Sequence, residues 1–270
     1  MPAPKTWEEF LKGPVLVISK DSTNESYIRT EKRLREAGFT NIIQIDLPSI
    51  KESVYTIQVH WNRLFAGKQV NFDNKDTAFI DTVNYPNKQE SAVAHFNAYK
   101  YILSNKYDFA LIVEDNIVFH KDWNLLAPKY FEVTPPDYFL CYVGHHCGCG
   151  INAHVIRAPT FSMQSIIVTS EGAQYLLDKL LYHPNGVRTL DCMINEAMTT
   201  SLINQQAGID NISDDFCNWY AWNAEMFPDD IAIKIFEHAQ KDQGLIFQED
   251  YKRKKLLEEQ EFERKFNNVM

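Results

Sequence analysis

The chain has 270 residues and a formal net charge of −9 at pH 7, with 45% hydrophobic and 13% aromatic residues. That apolar fraction can bury a substantial core, which excludes wholesale disorder, and the length fits one large domain or two small ones. The acidic balance, with a sequence pI near 5.4, argues against a nucleic-acid scaffold or a polybasic membrane binder, yet admits a phosphate-bearing metabolite if a metal or a local basic cluster supplies charge.

The first predicted element is a buried strand at Val15-Leu16-Val17-Ile18, a β-branched run behind Gly13-Pro14. A capping box at Ser22 to Glu25 opens a predicted helix to Ala37, closed by Gly38. A second strand follows at Asn41 to Asp46. Strand, helix, glycine, strand is the start of a βαβ unit and favours a layered α/β fold.

Residues 47–87 read as short elements and loops. A helix is expected from Lys88 to Ser104, with Ala92, Phe96, Tyr99 and Leu103 on one face, and then a buried strand at Phe109 to Val113. Further strands are predicted at Tyr138 to Val143 and Ser165 to Thr169, with Ser170 capping a helix whose stripe is Ala173, Leu176, Leu177, Leu180 and Leu181. Thr189 can cap another helix bearing Met193 and Ile194. After Asp210 the chain reads as irregular and aromatic, and residues 249–266 as a charged helix. With no repeat and no low-complexity linker, the expectation is one domain over 1–248, with 249–270 packed on it or trailing from it.

Five cysteines, Cys141, Cys147, Cys149, Cys192 and Cys217, do not resemble a secreted disulfide framework. The opening MPAPKTWEEF lacks the apolar run of a signal peptide. Apolar stretches fall far short of the about 20 residues needed to span a bilayer. The sequence therefore leads to the expectation of a cytoplasmic protein with reduced thiols and no transmembrane segment.

Glu114-Asp115-Asn116 directly follows the strand at 109–113. Ligands of open α/β sheets bind at the carboxyl ends of strands, so these hard oxygen donors suit Mg²⁺ or Mn²⁺ carrying substrate phosphates. The same three residues also fit a polar turn closing a core strand. Cys141, His145, His146, Cys147 and Cys149 crowd together without a C-x-x-C pair, which argues against zinc. His145 and His146 are expected instead in a loop at a strand end, donating to a diphosphate or an acceptor. Trp219 and Trp222 lie in a stretch dense in aromatics, suited either to stacking on sugar faces or to closing the core.

Several blocks in order carry a family resemblance. Residues 15–22 (VLVISKDS), 89–103 (QESAVAHFNAYKYIL), 110–119 (ALIVEDNIVF), 136–144 (PDYFLCYVG) and 166–177 (IIVTSEGAQYLL) resemble the central motifs of family 25 glycosyltransferases. That family includes lipooligosaccharide and collagen galactosyltransferases, and the likeness spans about residues 14–200. Two departures stand out: the family's helix motif G-E-x-G-C-x-x-S-H is kept only at Glu90, and the last Asp of its E-D-D triplet is Asn116.

The resemblance implies a GT-A-type fold, a mixed, mostly parallel central sheet flanked by helices. It implies transfer of a sugar from a nucleoside-diphosphate donor, a UDP-sugar foremost, to a hydroxyl of a glycan acceptor. Glu114 and Asp115 would face the ribose, and the backbone from Val17 through Ile18 to Ser19 would meet the nucleobase end. Asp115 and Asn116 would touch Mn²⁺ or Mg²⁺, with the uncharged Asn116 holding the ion less strongly. Asp191 falls where the family has an acidic residue, and would act as the base of an inverting transfer. An Asp in a first helical turn is also stabilised by the helix dipole alone. The alternative is a catalytically impaired nucleotide- or glycan-binding relative of the same fold.

Overall fold

A computed structural model describes residues 3–49, 51–53, 86–146, 155–156, 161–178, 190–191, 193–194, 219–222, 242–244 and 246–248. The expected tail helix at 249–270 and most of the 47–87 segment lie outside these residues, as do Leu180, Leu181 and Thr189.

Every side chain of β1 (Pro14–Ser19) is buried, as a strand covered on both faces requires. Before it stands a helix the sequence reading missed, α1 (Trp7–Lys12), whose N-cap Thr6 accepts from the Glu9 amide at 3.1 Å. Helix α2 (Glu25–Glu36) follows, then β2 (Asn41–Asp46). The capping residue of α2 is Asn24, not Ser22: its side-chain oxygen accepts from the Ser26 amide at 3.0 Å. Helix α3 (Pro86–Ser104) leads into β3 (Phe109–Glu114), and a two-residue turn leads on to β4 (Ile117–Phe119). Helix α4 (Trp123–Val133), also missed, precedes β5 (Leu140–His146), β6 (Val155–Ile156) and β7 (Phe161–Thr169). Helix α5 (Ser170–Leu176) is capped by Thr169, which accepts from the Gly172 amide, rather than by Ser170. The short strands β8 (Trp219–Trp222), β9 (Asp242–Gly244) and β10 (Ile246–Gln248) complete the described elements.

The main sheet has eight strands in the order β2-β1-β3-β7-β5-β8-β6, with β9 beside β5. Strands β2, β1, β3, β5 and β8 point one way, while β7, β6 and β9 run against them. The sheet is therefore mixed and mostly parallel, as expected.

Alternation along the strands splits the core in two. Leu16, Ile18, Ala110, Ile112, Ile166 and Val168 face α3 and α5. Val15, Val17, Phe109, Leu111, Val113 and Ile167 face α1, α2 and α4. Helices thus cover both faces. From Ala92 to Tyr99 only Asn97 of α3 is exposed, and its buried stripe ends on Ile102 rather than Leu103. A helix buried nearly all round hides the simple amphipathic period.

Candidate active site at the carboxyl ends of β1 and β3

Parallel pairing of β1 with β3 sets Ile18 opposite Glu114, so the next residues of both strands emerge together at one edge. There Ser19, 1% exposed, donates its hydroxyl to Asp115 Oδ2 at 2.6 Å. The Asn24 amide approaches the same oxygen at 3.4 Å. On the other side of β1, Ser19 is in register with Asp46, and its carbonyl accepts from the Leu47 amide at 2.8 Å. Just beyond β1, the Thr23 hydroxyl and amide donate to Asp21 and hold its carboxyl below the usual range. Asp21, Asp46, Glu114 and Asp115 thus stand at or just beyond the ends of three adjacent parallel strands, with the exposed Lys20 among them.

Asp115 and Asn116 form the turn by which the chain leaves the main sheet for β4. Helix α2 fastens this turn from behind. The buried Thr30 hydroxyl donates to the Asp115 carbonyl at 2.8 Å, and the Arg33 guanidinium to the Ile117 carbonyl at 2.9 Å. In front, β10 pairs with β4 and β9 with β5, and the Gln164 amide donates to the Ile246 carbonyl at 3.2 Å.

The turn offers hard oxygens to a cation. Asn116 Oδ1 is buried with no hydrogen-bond partner, a costly state for an acceptor and one that a ligand at the turn would relieve. One Asp115 oxygen is committed to Ser19. Among the described residues no three His, Cys, Asp or Glu side chains gather to hold a metal. The pair therefore fits Mg²⁺ or Mn²⁺ that draws its other ligands from water and substrate phosphates, the usual habit of Mg²⁺, and does not fit a closed protein cage.

No family model matches the chain, and no curated protein matches it in sequence. Among solved structures it is similar to a glycosyltransferase involved in the glycosylation of the major capsid of PBCV-1, with a TM-score of 0.35 and 9% identity, covering 88% of this chain and 94% of that one. It is also similar to the apo form of the glycosyltransferase GlyE of Streptococcus pneumoniae TIGR4, with a TM-score of 0.35 and 11% identity, covering 84% of this chain and 60% of that one.

Other residues singled out in the sequence sit elsewhere. Val17 and Ile18 are interior to the sheet: their side chains enter opposite clusters, and both are paired with β2 and β3. Of the first-strand candidates, only Ser19 stands at the strand end. His145 and His146 are not in a loop, because β5 continues to His146, paired with β9 on one side and β7 on the other. His145 is fully buried, with Nε2 3.0 Å from the Trp222 carbonyl; that oxygen only accepts, so Nε2 carries the proton. Trp219 and Trp222 form β8 and are fully buried, which removes the stacking platform. Trp222 packs on Trp123 and Tyr130, with ring centroids 6.3 and 5.7 Å away, and donates to the Thr134 hydroxyl at 2.9 Å.

Cys141 lies in the core, where burial pushes its thiol far above the ordinary range; Cys147 and Cys149 lie outside the described residues. Asp191 is helical and partly exposed, beside Leu190, Met193 and Ile194, which enter the core cluster shared with α3. No helix among the described residues is long and apolar enough to cross a membrane.

Asn24, Thr30 and Arg33 were not singled out from the sequence. One signal was present: Tyr27, Thr30 and Leu34 share the buried face of α2, so a hydroxyl occupies an apolar position and must find a partner.

Proposed function

We propose that this protein is a GT-A-type glycosyltransferase that moves a sugar from a nucleoside-diphosphate donor, a UDP-sugar foremost, to a hydroxyl of a glycan acceptor. The carrying observation is the junction of Ser19 with Asp115 at adjoining carboxyl ends of parallel β1 and β3. That is where open α/β sheets bind nucleotides, and the ordered resemblance to family 25 glycosyltransferases falls on the same residues.

In this reading Glu114 and Asp115 accept hydrogen bonds from the ribose, and Ser19 keeps the Asp115 carboxylate aimed. Asp115 and Asn116 would hold Mg²⁺ or Mn²⁺, which when bound supplies positive charge to the leaving diphosphate. Asp191 takes the proton of the acceptor hydroxyl as its oxygen bonds to the anomeric carbon. The bond from that carbon to the diphosphate oxygen breaks, and the nucleoside diphosphate leaves with the electron pair. One displacement inverts the anomeric centre.

The uncharged Asn116 favours a second reading, a nucleotide- or glycan-binding relative without turnover, because one carboxylate fewer weakens cation binding. Release of UDP from a panel of UDP-sugars, in Mn²⁺, Mg²⁺ and EDTA, separates the two. Metal-dependent release supports transfer. Full activity in EDTA removes Asp115 and Asn116 as metal ligands, and binding without release favours the second reading.

A further inference from the structure

Helix α2 makes its polar contacts with the donor-site turn from a face that should otherwise be apolar. Thr30 is completely buried, between Tyr27 and Leu34 on the face turned to the sheet. Its hydroxyl donates at 2.8 Å to the carbonyl of Asp115, 85 residues away. One helical turn later, Arg33 donates at 2.9 Å to the Ile117 carbonyl. Those two carbonyls bracket Asn116, so its peptide is tied at both sides to one rigid element. The N-cap residue of the same helix, Asn24, reaches the Asp115 carboxylate itself.

A two-residue turn leaving a sheet does not specify its own conformation. The Asp115 carbonyl lies in the turn and the Ile117 carbonyl at the start of β4, and β3's neighbours β1 and β7 do not extend their ladders past Glu114 and Val113. Ser19 of β1 aims the Asp115 carboxylate, while the backbone on either side of Asn116 takes its side-chain donors from α2.

We propose that Thr30 and Arg33 are positioning residues for the donor site: they hold the 115–117 backbone so that Asp115 and Asn116 present their oxygens to the nucleotide diphosphate and its cation. This inference rests on the glycosyltransferase reading above. Neither residue touches substrate. Each acts through the turn, and a shift of about 1 Å in a binding group is enough to lose much of its effect.

The test is the dissociation constant of UDP with Mn²⁺ for wild type, Thr30→Val, Thr30→Ser and Arg33→Gln, at a temperature where circular dichroism shows all four folded. Thr30→Val keeps the shape and removes the donor; Thr30→Ser keeps the donor. Arg33 is only partly buried, so Arg33→Gln folds even if Thr30→Val does not. The expected result is UDP binding weakened about tenfold in Thr30→Val and Arg33→Gln and within about twofold of wild type in Thr30→Ser, the size of one lost hydrogen bond. A merely structural role would lower the melting temperature and leave the constant alone, and that outcome overturns the proposal. If wild type binds no nucleotide, the glycosyltransferase reading falls, and this inference falls with it. If wild type binds UDP and the variants match it, only the positioning role is lost.

Discussion

Ser19 and Asp115, 96 residues apart in sequence, are joined by a 2.6 Å hydrogen bond from the serine hydroxyl to the aspartate carboxylate. The bond ties the end of the first strand of the sheet to the turn after the third. Hydrogen bonds to charged groups contribute about 1.5–3 kcal/mol, and less where the carboxylate keeps some contact with water, as Asp115 does. Ser19→Ala is therefore expected to cost about 1–2 kcal/mol in urea unfolding and to weaken UDP binding. An unchanged unfolding midpoint would show that the bond contributes nothing.

Asp191→Asn keeps the size of the side chain and removes its basicity. Turnover is expected to fall by about two to four orders of magnitude while UDP binding holds. Near-normal turnover, or a product with retained anomeric configuration, would refute its role as base. Loss of folding would assign Asp191 to steadying the first turn of its helix.

His95 sits on α3, fully buried, and neither ring nitrogen has a hydrogen-bond partner. Burial lowers its pKa from 6.5 to about 3. Between these values the unfolded chain binds a proton that the folded chain refuses, so His95 makes stability fall as pH drops from about 6.5 toward 3. His95→Phe removes that dependence. Relative to their difference at pH 7, the variant should gain on wild type by about 1.4 kcal/mol per pH unit below 6.5. Parallel stability curves from pH 7 to 4.5 would mean that His95 finds a partner when protonated.

Much of the sheet was legible because its strands are β-branched or apolar runs: Val15 to Ile18 and Phe109 to Val113 reappear as β1 and β3. The short helices α1 and α4 were not legible. Their aromatic residues pack on distant partners, with Phe10 stacked on Phe131 and Trp123 against Trp7, and such contacts leave little local period. The same physics misled at Trp219 and Trp222, where aromatic density marked core. His145 was misplaced because β5 is extended by β9, a partner about a hundred residues downstream. At the site, the acidic turn was visible as a string of letters. Ser19 stood out there only for its backbone; its bond to Asp115 and the partners Asn24 and Thr30 were not visible, since parallel register and the facing of α2 are set by the fold.

Gly144 marks a close approach of two backbones. A Cβ there would collide with the Ile246 carbonyl of β10, and backbone cannot swing aside as a side chain can. Gly144→Ala is expected to cost about 1–3 kcal/mol, the usual scale of overpacking. Differential scanning calorimetry reads this as a lower melting temperature. An unchanged value would mean that β10 is not seated against β5.

The account turns on the carboxyl ends of β1 and β3 being a nucleotide-sugar site, and titration calorimetry of UDP in Mn²⁺ against wild type and Asp115→Ala tests this most directly. The expected result is saturable binding to wild type, weaker in EDTA, and weakened at least about tenfold by Asp115→Ala. No binding to wild type, or equal binding to the folded variant, would contradict it.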